Sequence, residues 1–94
     1  MFSWINKRGV RSESGYIVQN SGLSAMHYYE KENEIELYME RNFSGGILYI
    51  QIWRSGLTKW KNGGSISSKK QEEIIENIRS ALKFMEIELE LEDS

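Results

Sequence analysis

The stretch "SKKQEEIIENIRSALKFMEIELELE", Ser68 to Glu92, changes its hydrophobic period in the middle, and that change decides the fold class. Up to about Phe84 the apolar residues Ile74, Ile75, Ile78, Ala81, Leu82 and Met85 recur at helical intervals and make one stripe. Ser68 and Gln71 have capping-box spacing; Glu72 and Glu73 stand early and Arg79 and Lys83 late, as the helix dipole favours. From Glu86 the pattern becomes strict alternation: Ile87, Leu89 and Leu91 on one side, Glu86, Glu88, Glu90 and Glu92 on the other. Side chains of a strand point alternately to its two faces, so a helix over 68–85 is followed by a half-buried strand over 86–92.

Working back towards the N-terminus, the remaining elements read as strands. "ILYIQIW", Ile47 to Trp53, is the most β-prone stretch; both its sides are largely apolar, which predicts a central position in the sheet. "RSG" bends the chain after it, "LTKW", Leu57 to Trp60, is a short extended piece, and "NGG", Asn62 to Gly64, is a turn. "AMHYYE", Ala25 to Glu30, and "EIELYME", Glu34 to Glu40, predict a β-hairpin with Asn33 in the left-handed position of its loop. "YIVQ", Tyr16 to Gln19, is another strand. Residues 1–15, broken by Gly9, Ser12, Ser14 and Gly15, read as an N-terminal arm with Phe2, Trp4 or Ile5 docked on the body, and 16–60 as a β-meander. The expectation is one α+β domain over 1–94: a mainly antiparallel sheet of about five strands, two-layered with one C-terminal helix, and a last strand after it.

With 94 residues, 39% of them apolar, the chain can build one core and no second domain. It lacks cysteine, which removes thiolate metal sites, disulfides and cysteine nucleophiles and agrees with a reducing compartment. No secretory leader or membrane-length apolar run is present, so a soluble, cytoplasmic protein is expected. The net charge is -2, unevenly spread: ten bases against six acids up to Lys70, two against eight beyond it. An acidic end on a basic body suits orientation towards a basic partner, or complementarity within the fold.

Catalytic chemistry finds few parts. The single His27 lies in a strand without a spaced ligand or triad partner and reads as structural. The glutamates share one wet strand face, whereas acid and base work needs two carboxylates in different environments. Gly45-Gly46 and Gly63-Gly64 match no phosphate loop and read as hairpin turns. The chain is therefore read as no enzyme, with no cofactor and no metal. Two groups could contact nucleic acid: Trp4, Lys7, Arg8 and Arg11, and Arg54, Lys59, Trp60 and Lys61. Against them stand the acidic pI and the absence of any nucleic-acid-binding pattern, so this is the alternative reading.

Taken together, "SWINKRGVRSESGY", "YYEKENEIELYME", "GGILYIQIWRSGLTKW" and "ISSKKQEEIIENIRSALKFMEIELELE" resemble a family of small immunity proteins found beside bacterial polymorphic and contact-dependent toxins. The matching positions are Trp4, Glu40, Tyr49, Trp60 and the helix residues Ile74, Ile75, Ile78, Ala81 and Leu82. "KWKNGG" departs from that pattern in being more basic, so no role is carried over to this loop. The resemblance implies a protein that binds and neutralises a cognate toxin in the cytoplasm of the producing cell. If the toxin is a nuclease, an acidic strand face could mimic the phosphate backbone that its basic groove receives.

Two patches are candidates for that contact. One is the ladder Glu86, Glu88, Glu90 and Glu92; the other is Trp53, Arg54, Lys59 and Trp60, since Trp and Arg dominate interface hot spots. Core packing is the competing reading for the tryptophans, and solvation with edge protection for the ladder. Exposed strand edges are compatible with a monomer or an edge-paired homodimer.

Overall fold

The long helix is the main element of the second layer, which the segment before it completes with Leu57 and Ile66. A computed structural model describes residues 1–93 and has seven strands and this helix: β1 Phe2–Asn6, β2 Gly9–Ser12, β3 Ile17–Ser21, β4 Ala25–Glu30, β5 Asn33–Ser44, β6 Ile47–Trp53, α1 Ser68–Phe84 and β7 Ile87–Glu92. All seven strands form one sheet in chain order. Neighbours are antiparallel as far as β6, and β7 returns parallel to it. The α+β, mainly antiparallel architecture is as the hydrophobic periods indicate.

The sheet has seven strands rather than about five because residues 1–15 are part of it. β1 and β2 form a hairpin that adds to β3, and Val10 is completely buried. Phe2 packs on Tyr16 and Phe84, and Trp4 on Phe84, at centroid separations of 5.5–6.0 Å. These strands are too short and too rich in glycine, serine and arginine to show a period. Within this mainly antiparallel sheet β6, α1 and β7 form one βαβ unit, since a strand returning after a helix to lie beside its predecessor can run parallel.

Most element ends agree with the alternation, with local exceptions. β5 runs on through Asn42 and Phe43 to Ser44, and only Gly45 and Gly46, both with positive φ, make the turn to β6. The left-handed residue of the β4–β5 turn is Lys31 rather than Asn33, which already pairs with Glu30. Arg54–Leu57 is a short 3-10 turn, and only Lys59 bridges, to Ser65. The helix is capped by Ser67, whose hydroxyl accepts from the Lys70 N–H, while Gln71 donates to the Ile66 carbonyl.

Alternation sorts the strand residues onto two faces. Val10, Val18, Met26, Tyr28, Ile35, Leu37, Met39, Ile50, Ile52 and Leu89 share the helix side with Ile74, Ile75, Ile78, Ala81 and Leu82 of α1, and Leu57 and Ile66 of the segment before the helix complete the core. Among the described residues no element packs over the other face. β6 is accordingly next to the edge strand rather than central, and its second apolar side, Ile47, Tyr49 and Trp53, is only partly covered.

Candidate functional site

The uncovered face of the sheet gathers side chains from β4 to β7. Its rows follow from the register: Asn42, Tyr49 and Glu88 lie abreast, then Glu40, Gln51 and Glu90, and Trp53 lies beside Glu92. On β5 the same alternation adds Tyr38, Glu36 and Glu34, and on β4 it adds His27 and Tyr29. Glutamates from two strands separated by β6 therefore share one face, about 10 Å apart across it. Arg11 is the one Lys or Arg of the described strands that alternates onto this side.

Several contacts order the face. Tyr38 and Trp53 pack with centroids 5.5 Å apart, and the Tyr38 hydroxyl donates to Glu40 Oε2 at 2.9 Å. That bond holds the phenol above its usual titration range. Gln51 Nε2 donates to Glu92 Oε1 at 2.7 Å, and His27 Nδ1 lies 2.9 Å from Glu34 Oε2. Lys61 Nζ stands 3.7 Å from Glu34, at the edge of the face. What results is a lattice of carboxylates studded with aromatic rings, which can take up cationic side chains and flat apolar ones.

The structure divides the two sequence-derived patches. Glu88, Glu90 and Glu92 point outward from β7, as the alternation indicates. Glu86 does not belong with them. It follows the helix cap Met85 with φ 64°, and its N–H bonds the Lys83 carbonyl, so it is the left-handed residue that ends α1. Of the second patch, Trp53 joins the acidic face. Arg54 is held by Glu72 and by Asp93, at 3.0 Å to the latter, clasping α1 to the end of β7. Lys59 is exposed in the bridge to Ser65, and Trp60 is half-buried against the core. Glu34, Glu36, Glu40, Tyr38 and Tyr49 belong to neither sequence patch; their alternation is legible in the chain, but only the strand order puts them on one face with β7.

Glu86→Gly is expected to raise stability by up to about 1 kcal/mol, because glycine adopts positive φ without the Cβ clash, offset in part by its greater unfolded-state entropy. Partner binding should be unchanged. A lower urea midpoint for this variant would contradict the cap assignment.

A cleft of about 300 Å3 lies on the helix side, between Gly15, Tyr16, Glu30, Lys70 and Asn77. Its charges are internally matched: Lys70 pairs with Glu30 and Glu73, Tyr28 Oη donates to Glu30 at 2.6 Å, and Asn77 Nδ2 donates to Tyr28 Oη at 2.9 Å. Burial pushes the Glu30 carboxyl up, but the bonds from Lys70 and Tyr28 outweigh it and hold it below its ordinary value. A folded-state pKa below the unfolded one means stability that is present above the unfolded value and lost as pH falls through the folded one. Urea midpoints should therefore fall in acid more steeply for the wild type than for Glu30→Gln; parallel acid limbs would remove this assignment.

Among the described residues no cluster of His, Asp and Glu is placed to hold a metal ion, and no helix is long and apolar enough to cross a membrane. No family model, curated protein or solved structure matches the chain.

Proposed function

We propose that the protein is an immunity protein that binds a basic surface of a cognate toxin with the open face of its sheet and so neutralises it in the cytoplasm of the producing cell. The observation that carries this reading is the placing of Glu34, Glu36, Glu40, Glu88, Glu90 and Glu92 on one uncovered face together with Tyr38, Tyr49 and Trp53. Carboxylates of one sign steer and orient a cationic partner, and tyrosine and tryptophan supply contact area with little entropy to lose. The resemblance of the chain to small immunity proteins names the kind of partner. A nuclease toxin fits best, since its substrate groove must be basic.

The nucleic-acid alternative has less support. Of its second group Arg54 is occupied by Glu72 and Asp93, and Lys61 stands beside Glu34. Of its first group Arg11 lies on the opposite face from Trp4 and the buried Val10.

Co-expression with the toxin encoded beside it is the test. Rescue of growth and co-elution as a one-to-one complex are expected, with association slowing as salt is raised. Absence of both rescue and association overturns the reading, and tight salt-sensitive binding of oligonucleotides instead would favour the alternative.

A further inference from the structure

On the helix side of the sheet, where the β1–β2 turn approaches the end of α1, lies a cavity of about 180 Å3. Lys7, Arg8, Arg41 and Asn20 supply its polar wall, and Leu48 and Ile87 are among its apolar lining, with half-exposed Trp4 alongside. None of the three cations forms an ion pair among the described residues; the hydrogen bond of the Arg41 guanidinium goes to the Gly22 carbonyl at 3.2 Å. Asn20 is only 4% exposed, and its Oδ1 is buried without a hydrogen-bond partner, the one such side-chain atom among the described residues. A buried amide oxygen left unmet costs stability, so a native structure that keeps one invites a reason.

We propose that this cavity binds a phosphate monoester of a small polyol: a sugar phosphate, alone or as the sugar-phosphate part of a mononucleotide. Three unneutralised cations suit a group that carries up to two negative charges, and arginine takes phosphate oxygens in a planar, two-pronged geometry. The Asn20 amide is the buried side chain of this wall whose oxygen is left without a partner: turned so that Oδ1 meets the cavity it accepts from a sugar hydroxyl, and in the other orientation its Nδ2 donates to a phosphate oxygen. A simple carboxylate has no donor for Oδ1 and leaves the cations in excess. The apolar lining and Trp4 accommodate the carbon face of a sugar or a flat ring. The end of α1 beside the cavity also favours cations. Yet the Ala81 and Lys83 carbonyls there are already bonded by the Met85 and Glu86 N–H groups, and that role explains neither the cavity nor the orphaned amide.

The site lies on the other side of the sheet from the acidic face and does not depend on the toxin-binding reading. An amide NMR titration at constant ionic strength tests it, with ribose phosphate, adenosine monophosphate, inorganic phosphate and ribose as probes. Saturable shifts at Arg8, Asn20, Arg41 and Ile87 are expected with ribose phosphate and not with ribose. Arg8→Glu, an exposed position whose change spares the fold, should weaken binding by about tenfold or more, and Asn20→Asp should weaken it too. Tighter binding of adenosine monophosphate identifies the nucleotide as the source, and equal binding identifies the free sugar phosphate. The proposal is overturned if no probe saturates, if ribose binds as well as its phosphate, or if Arg8→Glu leaves the ribose phosphate affinity unchanged.

Discussion

Replacing Glu40 and Glu90 together by lysine is expected to weaken binding of the toxin by about a hundredfold or more while leaving the fold intact. The two carboxylates lie in one row of the open face with Gln51 between them, so both changes fall inside a single contact area. Close charge pairs at protein interfaces are coupled by about 1.5–7 kcal/mol, and a reversal replaces attraction by repulsion, so two reversals exceed the roughly 2.8 kcal/mol that a hundredfold requires. The cost to the free protein is small. Both side chains are exposed, the lost bond is the one from Tyr38 to Glu40, and surface changes of this kind stay within about 0.5 kcal/mol each. Glu76→Lys, on an exposed position of the helix, is the control for charge change away from the face. Calorimetric titration with the purified toxin decides the matter: wild-type affinity in a folded double variant would move the contact to another surface.

The glutamate ladder shows what can be read from residues and what needs register. Alternation is a property of one strand, so the outward sense of Glu88, Glu90 and Glu92 and the inward sense of Ile35, Leu37 and Met39 are visible in the chain. Which strand lies next to which is not. The acids of β5 and β7 become one surface only because both strands pair with β6, β5 antiparallel and β7 parallel. The same limit applies to β1 and β2, whose place in the sheet depends on β3 and on packing against Phe84 rather than on any local period. At Glu86 the alternation misleads, because a charge two residues before Glu88 fits the ladder while the backbone there is still ending a helix. Arg54 misleads in another way: interface statistics favour arginine, but Glu72 and Asp93, distant in the chain, have already taken its guanidinium.

Two isoleucines of β6 give the sharpest test of a sheet covered on one side. Ile50 is completely buried, paired with Leu89 of β7 under the helix, whereas Ile47 points to the open face and is 44% exposed. Ile50→Ala removes buried methyl groups and leaves a cavity, which typically costs about 2–5 kcal/mol, a large part of the roughly 5–15 kcal/mol of a small domain. For a chain of this size that corresponds to a fall in melting temperature of about 10–30 °C. Ile47→Ala vacates no enclosed space and should cost under about 1 kcal/mol. Equal destabilisation of the two would mean that the second face is also covered in solution, and a midpoint rising with protein concentration would identify a second copy as the cover. With the face open, the order reverses when the readout is toxin binding: Ile47→Ala lowers affinity through lost contact area next to Tyr49, although it hardly moves stability.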